Sequence, residues 1–215
     1  FNFSAINNLG ADAAKGEHLL LLNNDIEITT PGFVRELLSY SQQPGVGAVG
    51  AKLLYPDGTI QHAGVIVGIN GTAGHSHKGL DAKNGGDLNR LVTTQNYSAV
   101  TGAALMVKAE LYHELGGLNE TDFAVAFNDV DFCMRIRDMG WQVLFTPYAE
   151  CYHYESKSRG SDKKGEKKER FEGERNRLKG RFGDSLLRDP FYNPNLTLDM
   201  EDFSESRVLP KYDEV

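Results

Sequence analysis

A chain of 215 residues is long enough for one ordinary domain with a real core, and 40% hydrophobic with 25% charged residues is the balance of a globular protein. No apolar stretch approaches the roughly 20 residues that a membrane-spanning helix needs, and two cysteines are too few for a disulfide framework. The net charge of −7 is unevenly spread: Lys157 to Arg181 carries eleven Lys or Arg against five Asp or Glu, a local +6.

In chain order, residues 4 to 15 read as a helix, with Ser4 as its cap, Ile6, Leu9 and Ala13 on one face and Gly16 just past its end. His18 to Leu22 reads as a strand buried on both faces, as parallel-sheet strands are. Thr30-Pro31 opens a second helix, whose apolar face is Phe33, Leu37 and Leu38. Val46 to Leu54 is a second strand, and a Pro-Asp-Gly turn leads into a further strand in "YPDGTIQHAGVIVG". Residues 70 to 95 lose periodicity and read as a mobile loop. A strand over Ala99 to Lys108 precedes a short helix from Ala109 that Gly116-Gly117 ends. "FNDVDFCMRIRDMGW" is a helix capped by Asn128, with Asp129 and Asp131 in the first turn, Cys133 and Ile136 inside, and Gly140 as its stop. Trp141 to Phe145 is a strand ended by Pro147, a charged helix covers 163 to 180, and an irregular tail follows. Cys133 and Cys151 sit in apolar patterns that predict buried free thiols. The alternation of helix and strand argues for an α/β fold with a largely parallel sheet.

Several residues could carry chemistry. Asp25 lies just past the end of a strand, where open α/β sheets bind ligands. A carboxylate there can hold Mg2+ or Mn2+ against a diphosphate, but an Asx-type turn before the next helix explains Asn23-Asn24-Asp25 equally well. Asp129 and Asp131, two residues apart on a helix, project about 200° apart. One can act as a base while the other pairs with an arginine such as Arg135; both can equally serve only the helix dipole. His153 follows a strand and precedes Ser-Lys-Ser-Arg-Gly, a phosphate-friendly stretch, although a single histidine is more often structural. His62 takes the same discount, and His75 with His77 is weak evidence for a metal. Phosphate loops, nucleophile elbows, dinucleotide fingerprints and paired-cysteine metal spacings are absent. The basic stretch suits a solvated helix face, and it also suits phosphates or anionic lipid. Nucleic acid fits poorly, because the stretch has almost no aromatic interleaving and no recognisable motif.

Taken in order, "FNFSAINNLGADAAKGEHLLLLNNDIEITTPGF", "DGTIQHAGVIVG", "VTGAALMVKAELYHELGGLNE", "FNDVDFCMRIRDMGW", "YHYESKSRG" and "DPFYNPNLTLD" resemble the inverting family 2 glycosyltransferases of the GT-A fold, particularly bacterial enzymes that build surface polysaccharide. The resemblance implies that Asp25, in the place of that family's Asp-x-Asp element, ligates a divalent ion (Mn2+ or Mg2+) bridging the diphosphate of a nucleotide-sugar donor. Asn23 stands where a ribose-contacting or metal-adjacent acid often stands. Asn128 replaces the Glu of a Glu-Asp element, which makes Asp129 the general base toward the acceptor hydroxyl. His153 is implied to reach the metal or diphosphate. Thr101, Gly102 and Ala103 would border the sugar and acceptor pocket, with Asp131 also on the cofactor-binding side. The acceptor would be a glycan or a lipid-linked saccharide.

In that family a strand-helix-strand half that binds the nucleotide base comes first. Nothing before Phe1 supplies it, and no Met or secretory signal pattern opens the sequence. The expectation is therefore a partial α/β domain, GT-A-like, with a mostly parallel sheet flanked by helices. Residues 1–160 would be the C-terminal portion of the glycosyltransferase domain, and 161–215 a charged helix and irregular tail packing on it. Such a piece would transfer weakly or not at all alone, and an exposed sheet edge would invite self-association. The expected location is cytoplasmic, the basic stretch permitting peripheral contact with the inner face of the membrane. Two other classes stay open on the residues: a carbohydrate-binding or assembly module with structural carboxylates, and a metal-dependent hydrolase using Asp25 and His153.

Overall fold

The fold is taken from a computed structural model, which describes residues 1–155 and 165–206. The Ser156–Gly160 stretch, the basic residues from 157 to 164, and the tail from 207 onward lie outside the described residues. The elements are α1 (Phe3–Ala13), β1 (His18–Leu22), β2 (Ile26–Ile28), α2 (Phe33–Ser41), β3 (Val46–Leu54), β4 (Ile60–His62), β5 (Val65–Val67), β6 (Ala73–His75), β7 (Gln95–Asn96), β8 (Ala104–Lys108), α3 (Ala109–Glu114), α4 (Asn128–Asp138), β9 (Gln142–His153) and α5 (Glu166–Phe182).

The main sheet has the order β1-β8-β3-β9-β2, with β4 on β3 and β7 on β9, while β5 and β6 form a separate pair. The α/β class is as expected, but the pairing is not mostly parallel. β1, β3 and β9 do run the same way, and β3 pairs in parallel with β9. β8 runs the other way and inserts between β1 and β3, and β2, β4 and β7 also pair antiparallel. Helix-strand alternation reports strand direction, not which strand becomes whose neighbour. β8 enters from the buried segment before it rather than from a crossover helix, so nothing obliges it to lie parallel.

The two faces of the sheet bury different layers. Leu19, Leu21, Ala48, Leu105, Val107, Val143 and Phe145 face a core shared with Phe132, Cys133 and Ile136 of α4. Leu20, Val49, Ala51, Leu53, Met106 and Leu144 face Phe33 and Leu37 of α2. This period-two alternation makes β3, central between β8 and β9, buried at every position. β1 is not buried on both faces: it is an edge strand paired only with β8, and Leu22 is 41% exposed. Both cysteines are free and buried, and burial pushes each thiol up to about 12.

Local details depart from the expected pattern for identifiable reasons. The side chain of Asn2, not of Ser4, caps α1, accepting from the Ala5 N–H. Ser4 is buried and donates to the Phe123 carbonyl at 2.6 Å. The buried positions of α1 are therefore the small Ser4 and Ala11, with Phe3 and Asn8 half-buried beside them, whereas Ile6 and Leu9 are 57% and 73% exposed. Pro147 does not end a strand. β9 continues to His153, and its register against β3 jumps from Gly50↔Phe145 to Lys52↔Glu150, so Thr146–Ala149 form an excursion where a residue without an N–H is tolerated. Between 70 and 95, β6 and a buried Ser76–His77 pair replace the expected loop. Ser76 bridges Tyr97 Oη and His77 Nδ1, which satisfies polar groups that had read as loop-forming.

Candidate active site

β2 pairs with the end of β9 so that Ile26 lies opposite His153, and the Tyr154 N–H donates to the Asp25 carbonyl. This register brings the two predicted metal ligands together: His153 Nε2 lies 3.1 Å from Asp25 Oδ1, with side chains only 10% and 23% exposed. The neighbours of His153 fix where its proton sits. Glu155, an acceptor, receives the Gln61 Nε2–H at 3.1 Å, which turns Gln61 Oε1 toward His153 Nδ1 at 2.6 Å. Nδ1 must then be the donor, and the lone pair is on Nε2. The Asn23 amide nitrogen, 3.2 Å away, can only donate to that lone pair.

Asp25 Oδ1 is buried and has no hydrogen-bond partner. No proton is thus shared between the carboxylate oxygen and the imidazole nitrogen, and a cation bound here would take the Nε2 lone pair that the Asn23 amide now meets. One carboxylate and one imidazole form a donor set that a divalent cation takes. Among the described residues no group of three or more His, Cys, Asp or Glu converges on one point, so a cation held here would meet this pair, with Asn23 beside it.

The predicted sugar-side segment connects this pair to the predicted base. The Asn23 N–H donates to the Ala103 carbonyl at 3.0 Å, and the Ala103 N–H donates to Thr101 Oγ1. The Gly102 N–H donates to Asp129 Oδ2 at 3.0 Å, and Asp129 Oδ1 accepts from the Val130 N–H at 2.8 Å. Burial raises the Asp129 carboxyl above its ordinary value against these opposing N–H donors. Asn128 does not cap α4: its side chain is buried and donates back to the Val125 carbonyl.

Asp131 does not join them. It is fully buried on another side of α4, 2.9 Å from Arg135 Nε and 3.1 Å from Arg181 Nε. The two-residue offset turns it away from Asp129, and the pairing with Arg135 is the one its spacing allowed. His77 is also elsewhere, stacked on Phe203 at 4.2 Å and accepting from the Asp87 N–H.

Three site residues carried little or no weight in the sequence: Gln61, His62 and His75. His62 Nε2 accepts from the N–H groups of Gly64 and Thr101, each at 3.3 Å, so its proton is on Nδ1 and points at His75 Nδ1, 2.8 Å away. Burial holds His62 well below the usual histidine range and pushes His75 down to about 4, so both are neutral near pH 7. A cavity of about 90 Å3 runs past these histidines from His153 to Thr101, with Lys78 and Tyr55 at its margin. The only available signal was "QH" on a short strand after a turn, which has no distinctive spacing. A larger open groove of about 670 Å3 lies elsewhere, between α1, α3 and the Leu115–Thr121 segment, away from Asp25, Asp129 and His153.

Comparison with known proteins follows the same outline. The family model described as glycosyltransferase like family 2 matches residues 3–171. The protein y4gI of Sinorhizobium fredii (strain NBRC 101917 / NGR234), itself described as uncharacterized, is 47% identical over 203 residues, covering 94% of this chain and 22% of that protein. The O-antigen biosynthesis protein RfbC of Myxococcus xanthus is 41% identical over 205 residues, covering 94% of this chain and 16% of that protein. The chain therefore spans 22% or less of the length of these curated relatives. Among solved structures, GalNAc-T7 with UDP, GalNAc and Mn2+ shares the fold with a TM-score of 0.58, at 14% identity over 76% of this chain and 32% of that one.

Proposed function

The chain belongs to the glycosyltransferase-like family 2 and has the GT-A fold, and we propose that it carries the acceptor and metal side of an enzyme that moves a sugar from a nucleotide-sugar donor to a hydroxyl of a growing surface polysaccharide. The observation that supports this most is the linkage of two separate chemical groups through one segment. Asp25 and His153 converge as cation donors, Asp129 stands as a shielded carboxylate, and Thr101–Ala103 bonds to both sides. The polysaccharide acceptor is suggested by the relative named for O-antigen biosynthesis.

Transfer with inversion needs a single displacement. The acceptor oxygen forms a bond to the anomeric carbon, the bond from that carbon to the diphosphate oxygen breaks, and the acceptor proton passes to Asp129. Asp129 is suited to receive it: the N–H donors of Gly102 and Val130 occupy one lone pair on each oxygen and hold the carboxylate still. The Thr101 side chain also bonds to this carboxylate, marking a lone pair that a hydroxyl can reach, and burial increases its basicity. Gln61 keeps the His153 proton on Nδ1, leaving Nε2 and Asp25 as donors to a cation. Bound there, Mn2+ or Mg2+ supplies charge neutralisation for the departing diphosphate. The neutral His62 holds the Thr101 N–H and so keeps the connecting segment against both.

The test is release of nucleoside diphosphate by this protein from a panel of UDP-, GDP- and dTDP-sugars with Mn2+, with and without saccharide acceptors. Acceptor-dependent release that Asp25→Ala and Asp129→Asn each abolish supports the assignment. Full activity in both variants sinks it, and acceptor-independent sugar release by the wild type identifies a hydrolase instead.

A further inference from the structure

The charged helix α5 contains a residue that its sequence conceals. Glu174 sits in a strongly basic segment and has the pattern of a solvated face, yet its side chain is fully buried. Its carboxylate is bidentate to two consecutive backbone donors: Oε1 accepts from the Val125 N–H and Oε2 from the Ala126 N–H, each at 3.0 Å. Arg170 Nε lies 3.8 Å away on the same helix. Burying a carboxylate is costly unless such bonds hold it, so this contact fixes the turn it grips.

That turn leads directly into α4 and is strained. Phe127 immediately precedes the helix with φ 61, a left-handed conformation that a bulky residue rarely adopts. Strain of this kind persists only where the surroundings over-determine it. Here α5 provides the restraint: Glu174 holds the two preceding N–H groups, and the Phe171 ring packs on the Phe127 ring at 5.3 Å. One helical turn past the strained residue, Arg181 of α5 reaches Asp131 at 3.1 Å. The two grips flank Asp129, one on each side in sequence.

We infer that α5 is the positioning element for Asp129, with Glu174 as the residue that sets the strained turn and thereby aims the Asp129 carboxylate at Gly102 and the acceptor. Glu174 touches no reacting atom; it acts through backbone geometry. The inference rests on the reading of Asp129 as the base, but its geometric half is measurable without activity.

The experiment compares wild type with Glu174→Gln and Glu174→Ala. Gln keeps the volume but sets an amide N–H2 against one of the two backbone donors, so the turn relaxes. The amide proton resonance of Gly102, which reports its bond to Asp129, moves upfield in both variants, and acetate restores it in Glu174→Ala by refilling the carboxylate site. In transfer assays, kcat falls on the order of 10- to 100-fold, as expected for a small misplacement of a reacting group, while the donor KM stays within about threefold and the acid limb of the pH–kcat profile shifts. Arg175→Gln, on the same helix but paired with Glu172, leaves all of these unchanged. A folded Glu174→Gln with an unmoved Gly102 amide and an unshifted pH profile overturns the inference. Should neither Glu174 variant fold, Phe171→Leu loosens the same turn and leaves the carboxylate in place; an upfield Gly102 shift there supports the inference and its absence overturns it. Full transfer by Asp129→Asn would remove the base assignment without touching the Gly102 measurement.

Discussion

His153 Nε2 and Asp25 Oδ1 face each other at 3.1 Å, the imidazole proton being held on the opposite nitrogen by Gln61. A partner that orients a ligating histidine is worth about 10- to 100-fold in metal affinity. Gln61→Leu, which removes the acceptor but touches neither donor atom, should weaken Mn2+ binding by that factor in an isothermal titration. An unchanged affinity would mean that the His153 tautomer is set by something else.

Asp131 separates structure from chemistry within one helix. Removing it leaves Arg135 and the partly exposed Arg181 without their counter-charge in a buried setting. Breaking such a pair from one side costs about 3–5 kcal/mol, with the lower end expected because water can reach Arg181. Urea unfolding of Asp131→Ala should show that loss, whereas Asp129→Asn should lose less, since it deletes a carboxylate that burial disfavours while setting its amide N–H2 against one of the Gly102 and Val130 N–H donors. Equal losses would put both carboxylates in the same class.

The raised carboxyl of Asp129 sets a direction for pH dependence. A base works only when ionised, so transfer should rise with pH through a value above the ordinary carboxylate figure of about 3.9. The stability contribution runs the other way. A folded-state value above the unfolded one favours the folded state on protonation, so this contribution is present below the unfolded value and lost as pH rises through the folded one. A kcat profile with its acid limb at or below the ordinary value would contradict the assignment.

Gly102 offers a substitution that blocks without unfolding. An added Cβ there meets Asp129 Cβ at 3.5 Å and a Phe3 ring carbon at 3.6 Å, ordinary contacts both. Gly102→Ala should melt within a degree or two of wild type, as expected for roughly 0.3 kcal/mol in a domain of this size. It should nevertheless lower kcat/KM, because the methyl group stands beside the carboxylate that must receive the acceptor. A normal kcat/KM would place the acceptor on another side of Asp129.

The parts of the fold legible in the sequence are those where one local rule decided the outcome. Val46–Leu54 was readable as a strand because it is apolar or small at every position but Lys52, and α4 because its apolar stripe and Gly140 agree. Asp25 and Asp129 stood out as candidates because each lies at the end or start of such an element, although position alone fitted a turn and a helix-dipole role equally well. What escaped depended on partners far away in the chain. The insertion of β8 between β1 and β3, the passage of β9 through Pro147, and the burial of Ser4 follow from neighbours that no window of sequence contains. Gln61, His62 and Glu174 were hidden for the same reason. Each acts on backbone or side-chain atoms 39 to 92 positions away, at Thr101, His153 and Val125.

The central claim divides two carboxylates between two tasks, Asp25 for the cation and Asp129 for the proton. The most direct measurement is an electron paramagnetic resonance titration of Mn2+, in the presence of a nucleoside diphosphate, into wild type, Asp25→Asn and Asp129→Asn. The account predicts that Asp25→Asn loses bound Mn2+ while Asp129→Asn retains it at wild-type affinity. Equal retention by both variants, or loss by Asp129→Asn alone, would contradict it.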